Sequence, residues 1–245
     1  MKQSWLILGA SSAMARAFAR RVSQNGDAIF LAGRDMDDLA ASAADCRIRG
    51  ADESAAIKFD ARKPNGFKAI HDRMAALDGV LNVAVFVGSM PDQDDIDKDP
   101  SLIDGTVMDS FTGPAHFLQG FVPMMEQRGC GTVVGVGSVA GDRGRIGNYV
   151  YGAAKAGFHT YLSGLRNRLT KSGGHVVTVK PGFVDTGMTW GLDGMFLVAS
   201  PDDVARDILK AVNKGRNTVY TPFFWRYIML IIRHIPEFLF KKMSI

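Results

Sequence analysis

The chain has 245 residues, 47% of them hydrophobic, with a formal net charge of +4. That is enough to bury roughly 70 to 75% of the unfolded surface in one sizeable domain; with no repeats, no low-complexity linker and only Cys46 and Cys130, it excludes a repeat array, a disulfide scaffold and a cysteine metal site. The basic character is confined to the C-terminus, where eight Lys or Arg from Arg206 onward face two acids, and without a recognition motif this disfavours nucleic-acid binding.

The first apolar run, Trp5 to Leu8, is too short for a signal-peptide core and reads as a buried strand. Strand patterns follow near 4–9, 27–32, 55–59, 79–87, 131–137, 174–180 and 217–220. Helical patterns at 12–24, 35–45, 64–77, 101–128, 149–171 and 202–213 lie between them. Strand then helix, repeated, predicts an α/β fold: a doubly wound, mostly parallel seven-stranded sheet flanked by helices. Ligands of such sheets gather at the carboxyl ends of the strands. Asp92 to Asp97, after the fourth strand, reads as a loop of solvated acids, with a cation site as the other reading.

The turn from the first strand into the first helix is Gly9-Ala10-Ser11-Ser12-Ala13-Met14-Ala15. Gly9 permits a sharp bend, and the N–H groups and hydroxyls of Ser11 and Ser12 can face a phosphate at a helix N-terminus. Ala13 and Ala15 stand where the dinucleotide fingerprint has its later glycines. Arg34 follows the second strand, where an arginine suits a 2′-phosphate and an acid a free ribose hydroxyl, so NADP(H) is favoured over NAD(H). Asp35 directly after it keeps NAD(H) open. Asp60 ends the third strand, either to accept from an adenine amino group or to cap the following helix.

Ser138 follows the apolar run Thr132 to Val136, and Tyr151-Gly-Ala-Ala-Lys155 lies in the next helical pattern. Four residues apart, Tyr151 and Lys155 share one helix face. A cation there is expected to favour phenolate and lower the Tyr151 pKa, while Ser138 and Tyr151 together bind a substrate carbonyl.

In order and spacing the Gly9 turn, Asp60, Ser138, Tyr151, Lys155 and Pro181-Gly182-Phe183-Val184-Asp185-Thr186 resemble the short-chain dehydrogenase/reductase family over essentially the whole chain. The resemblance implies a Rossmann-type catalytic domain over 1–221 and a C-terminal helical tail of the same domain over 222–245. It implies NAD(P)(H)-dependent reduction of a ketone to a secondary alcohol, with Tyr151 as general acid/base. Lys155 would lower the tyrosine pKa and hold the nicotinamide ribose, and Ser138 would orient the carbonyl. Cofactor contacts fall on Gly9, Ser11, Ser12, Ala13, Met14, Arg34, Asp60, Ala61, Ala84, Tyr151, Lys155, Pro181, Gly182, Val184 and Thr186; no metal is implied. The family's Asn-Asn-Ala-Gly is replaced by the divergent Val83 to Gly88, and Ser110 stands for the asparagine of the proton relay. These departures leave a non-catalytic NADP(H)-binding regulator as the rival reading. A homodimer or homotetramer, paired through helices 101–128 and 149–171, also follows from the resemblance.

Residues 185–199, with Met188, Trp190, Met195 and Phe196, read as a mobile lid over an apolar ligand or as a hydrophobic flap on the core. The tail, Phe223 to Ile232 with Arg226, Arg233, Lys241 and Lys242 around it, is too short to span a bilayer, which takes about 20 apolar residues. It suits a helix in an anionic headgroup layer, or one packed on the core or in an oligomer interface. Pro236 is expected to divide it. The tail, with Ser138 to Gly141 and Tyr149 to Gly152, resembles the keto-sugar reductases of decaprenylphosphoryl-ribose 2′-epimerases, implying a polyprenyl-phosphate-linked or other lipophilic ketone. The expected location is cytoplasmic, with peripheral contact at the inner face of the membrane.

Overall fold

Short β-branched and aliphatic runs form strands β1 (Gln3–Leu8), β2 (Ala28–Gly33), β3 (Ser54–Lys58), β4 (Val80–Val85), β5 (Thr132–Val136), β6 (His175–Pro181) and β7 (Thr218–Thr221). The structure is a computed structural model and describes residues 2–187 and 197–243. Among these the seven strands make one sheet, ordered β3-β2-β1-β4-β5-β6-β7, with every pairing parallel. Parallel strands are covered on both faces, which is why they read as continuous apolar runs.

The helices are α1 (Ala13–Ser23), α2 (Met36–Ile48), α3 (Phe67–Ala75), α4 (Gln93–Lys98), α5 (Leu102–Val107), α6 (Gly113–Arg128), α7 (Tyr149–Thr170), α8 (Pro201–Asn213), α9 (Trp225–His234) and α10 (Glu237–Phe240). Phe18, Leu39, Val204 and Ile208 bring α1, α2 and α8 onto one face of the sheet. Phe67, Phe117, Phe121, Phe158 and Leu162 bring α3, α6 and α7 onto the other. Strand order reverses between β1 and β4, and a crevice opens beyond their carboxyl ends.

Two expectations change. The single helix over 101–128 is broken by a π-helical turn, Met108–Thr112, between α5 and α6. Pro114 has no N–H to return to the Ser110 carbonyl, and Gly113 presses against the Ala61 carbonyl, where a Cβ would stand 2.5 Å away. The acids at 92–97 are not a loop but largely α4. Asp94 and Asp95 suit its positive N-terminal end, and Gln93 and Ile96 are buried. The Asp97 carboxylate accepts from the Tyr149 hydroxyl at 2.5 Å and Gln93 accepts from Val150 N–H at 3.2 Å, docking α4 on the start of α7. Of the 185–199 segment, 188–196 with Met188, Trp190, Met195 and Phe196 lie outside the described residues; its ends meet in a parallel bridge between Val184 and Ala199. Among the described residues no helix is long and apolar enough to cross a membrane.

Candidate active site

Ser138 leaves β5 in extended backbone and caps a 3₁₀ turn, Val139–Asp142, its hydroxyl accepting Ala140 N–H at 3.1 Å. The turn lies directly on α7 because Gly152 has no side chain; a Cβ there would come within 2.8 Å of the Ala140 carbonyl. The Ser138 and Tyr151 side chains are thereby brought together, Ser138 near enough to act on the Tyr151 phenol. Tyr151 is 7% exposed and Lys155 3%.

The Lys155 ammonium does not reach the phenol. It donates to the carbonyls of Val87 and Val136, at 3.2 Å each, and stands 5.7 Å from the centre of the Tyr151 ring. The expected lowering of the Tyr151 pKa is therefore not what this site has. Burial pushes Tyr151 up to about 12 against the opposing Ser138 hydrogen bond, and burial brings Lys155 down to about 8. Desolvation acts on both groups and disfavours the charged form of each.

Ser110 is fully buried in the π turn, its hydroxyl accepting Ser89 N–H at 3.3 Å and donating to the Ser89 carbonyl at 3.2 Å. It faces Lys155 across Gly88. A Cβ at Gly88 would stand 3.0 Å from Lys155 Nζ and 3.4 Å from Ser110 Oγ, so both groups border the gap that glycine leaves.

A groove of about 200 Å³ is lined by Gly9, Ser11, Ser12, Arg34, Asp60, Ala61, Phe86, Val87, Gly88 and Asp109, among others. Gly9 takes a left-handed φ of +76° with the Phe86–Val87 backbone pressed against it; a Cβ would stand 3.0 Å from Val87 N. These residues fit a nicotinamide dinucleotide: a close-approach glycine turn at a helix N-terminus, an exposed arginine after β2 and a carboxylate after β3. Two of the nearby acids are already engaged. The Asp35 carboxylate caps α2 through Asp38 N–H at 3.1 Å, and Asp38 pairs with Arg16 at 2.7 Å. Asp60 borders the groove, and its carboxylate accepts Arg62 N–H at 3.0 Å in a local turn; it does not cap the following helix, whose cap position is Gly66.

Not every expected contact lies here. Ala84 is fully buried inside β4, paired with Ile7 and Val134, and belongs to the core; the groove is lined three residues further on, where the strand has ended. Ala13 is the exposed first residue of α1 and Met14 packs against the core, neither lining the groove. Val184 turns its side chain into the core beside Ala199 and Val204. Thr186 is half-buried beyond it. Phe86, Val87, Gly88 and Asp109 were not anticipated. Gly88 was legible as the glycine ending the divergent stretch after β4.

The tail folds back on this site. Trp225 and Met229 are buried with Val139, against Phe183 and Tyr220. Arg143, just past the Ser138 turn, donates to the carbonyls of Ile232 and Ile235 at 2.6 Å each and to Glu237 at 3.0 Å, and lies 3.7 Å from the centre of the Phe240 ring. The outward side keeps Phe223, Tyr227, Leu230, Ile231, Phe238 and Leu239 exposed. Of the two readings of the tail, packing on the core holds for one face only.

A doubly wound parallel sheet with a dinucleotide groove at its switch point, and a Ser-Tyr pair with a lysine beside it, defines an oxidoreductase of the Rossmann type. The short chain dehydrogenase family model matches residues 3–195, and the chain belongs to that family. It is accordingly an oxidoreductase of the class that acts on CH–OH and C=O groups. An uncharacterized oxidoreductase of Mycobacterium tuberculosis is 31% identical over 97% of this chain and 96% of its own length. Another, from Streptomyces coelicolor, is 31% identical over 99% and 96%. Among solved structures, a short-chain dehydrogenase from Sphingobium yanoikuyae in complex with NADPH superposes with a TM-score of 0.81 at 22% identity, covering 97% of both chains. An actinorhodin polyketide ketoreductase variant with NADPH gives 0.80 at 20% identity over 89% of this chain and 95% of its own.

Proposed function

We propose that the protein reduces a ketone to a secondary alcohol with NADPH, using Ser138, Tyr151 and Lys155. The observation that carries this reading is the half-buried Ser138 brought beside the buried Tyr151 and Lys155 at the carboxyl end of the sheet. Both hydroxyls can donate to one carbonyl oxygen. With its pKa raised, Tyr151 is fully protonated at neutral pH and can deliver a proton to that oxygen. The phenolate left behind is desolvated, and the Lys155 ammonium, 5.7 Å from the ring centre, would have to leave the Val87 and Val136 carbonyls to stabilise it directly. The proton would return through Lys155, with Ser110 across the Gly88 gap as the neighbouring hydroxyl. NADPH bound in the Gly9 groove would supply the hydride.

NADPH rather than NADH is favoured by the exposed Arg34 and by the engagement of Asp35 and Asp38 elsewhere; the two structural neighbours named above are also described with NADPH. We read the substrate as lipophilic, with a keto-sugar on a polyprenyl phosphate as the specific candidate. Its support is the likeness of the tail and of the Ser138 and Tyr149 segments to the keto-sugar reductases, together with the exposed apolar tail. Residues 1–221 would then be the catalytic domain and 222–245 its extension, resting on an anionic membrane surface. A homodimer or homotetramer through α6 and α7 completes the reading; Phe111, Gly157, Tyr161, Gly164 and Leu165 border an open depression there. The regulator alternative is not favoured, since a sensor has no need of all three polar groups.

The test is NADPH consumption against a panel of ketones and keto-sugars, free and polyprenyl-phosphate-linked, with Tyr151→Phe as control. Turnover of a panel member that falls about 10² to 10⁴-fold in the variant, with NADPH affinity kept, is the expected result. A variant with the wild-type rate refutes the assignment.

A further inference from the structure

Beneath the Ser138 turn lies a buried imidazole that the chemistry above does not use. His159 stands one helical turn after Lys155 on the same face of α7, its side chain 10% exposed. It fills the space left by two glycines flanking the turn: a Cβ at Gly137 would overlap Nε2, and one at Gly141 would come within 2.8 Å of Cε1. Nε2 faces the backbone N–H of Ser138 at 3.3 Å. A nitrogen that accepts from an N–H must hold a lone pair, so in the neutral ring the proton sits on Nδ1. Burial, reinforced by the Lys180 charge, holds His159 down to about 3, and the ring stays neutral near physiological pH.

Nδ1 faces Asp142 Oδ1 at 3.7 Å, too far for a hydrogen bond but close enough for the carboxylate to favour a proton on that side. Asp142 closes the same 3₁₀ turn, with only 3% of its side chain exposed. A carboxylate so buried requires partners. Lys180 of β6 donates to it at 2.5 Å and the Tyr220 hydroxyl of β7 at 2.6 Å. Both ends of the Ser138 turn are thus fixed, the first residue by His159 and the last by side chains of β6 and β7.

We propose that His159 and Asp142 are positioning residues for Ser138: Asp142 selects the Nδ1–H tautomer of His159, and the free Nε2 lone pair holds the Ser138 amide so that its hydroxyl meets Tyr151. The opposite tautomer would set two N–H groups against each other and push the turn off α7. The inference rests on reading Ser138 as the group that orients the carbonyl.

Two measurements test it. A long-range ¹H–¹⁵N spectrum of the histidine-labelled wild-type chain reads the tautomer without any substrate: an unprotonated Nε2 with a protonated Nδ1 is expected, and a protonated Nε2 overturns the proposal even if the substrate reading fails. In ketone turnover, His159→Leu should lower kcat by about 10- to 100-fold, the scale of a small misplacement at a reacting centre, with NADPH affinity within about twofold. His159→Gln, which can return an acceptor to the Ser138 amide, should recover kcat to within about threefold. A folded Leu variant with the wild-type kcat, or equal loss in both variants, overturns it; if the Leu variant does not fold, the tautomer decides.

Discussion

Trp225 occupies the space that a side chain at Gly182 would need: a Cβ there would overlap the indole nitrogen. The first residue of α9 is thereby seated on the Pro181-Gly182 segment, the stretch proposed to meet the nicotinamide. The tail thus packs against the end of β6.

Gly182→Ala should therefore displace the indole and destabilise the fold by about 1 to 3 kcal/mol, the usual cost of overpacking. Urea unfolding of the two chains measures it. Equal midpoints would mean that the tail does not rest on this segment.

Arg34→Glu should exchange the cofactor preference. A carboxylate after β2 repels a 2′-phosphate and accepts from a free 2′-hydroxyl, so NADPH affinity is expected to fall about 10-fold or more while NADH affinity is kept or improved. Titration of both cofactors against both chains checks this. An unchanged NADPH affinity would remove Arg34 from the site.

The lowered Lys155 pKa carries a sign. The folded chain releases this proton near pH 8 and the unfolded chain at the ordinary lysine value of 10.5, so between them the unfolded chain binds more protons and stability rises with pH. By linkage the rise is at most about 3 kcal/mol. Tyr151 acts oppositely above pH 10, where its raised pKa makes stability fall as pH climbs towards 12. In Lys155→Met the rise between pH 8 and 10 should flatten, as measured by thermal unfolding of the cofactor-free chain. A rise that persists in the variant assigns it to other groups.

The outward face of α9 and α10 should bind anionic vesicles. Tyr227 and Ile231 are 61% and 69% exposed, and Arg226, Arg233, Lys241 and Lys242 accompany them. Changing Tyr227 and Ile231 to Ser leaves Trp225 and Met229 in place, unlike truncation, and should cut co-sedimentation with phosphatidylserine-containing vesicles several-fold. Equal binding by both chains, or none by either, would leave the packed inner face as the tail's role.

The sheet was legible because buried parallel strands write themselves as runs such as Thr132 to Val136. The Ser138, Tyr151 and Lys155 site was legible because spacing along β5 and α7 fixes which side chains share a face. What escaped depends on contacts distant in sequence. The α4 helix is held by Tyr149 and Val150, more than fifty residues away, and only Gln93 and Ile96 mark its inner side. The π turn at Ser110 reflects Pro114 acting together with a close approach to Ala61. Ala84 was placed in the groove because strand ends are blurred in sequence by a few residues, and the groove begins where β4 stops. The Tyr151 pKa was misjudged because a helical repeat shows the cation nearby but not where its ammonium points, nor that water is excluded from both groups.

The two hydrogen bonds of Lys155 have a mechanical meaning as well. The last paired residues of β4 and β5 are Val85 and Gly135, and beyond them the chains part. Lys155 joins the carbonyls of Val87 and Val136 across that fork, so one side chain of α7 ties together the two strand ends where sheet hydrogen bonding stops.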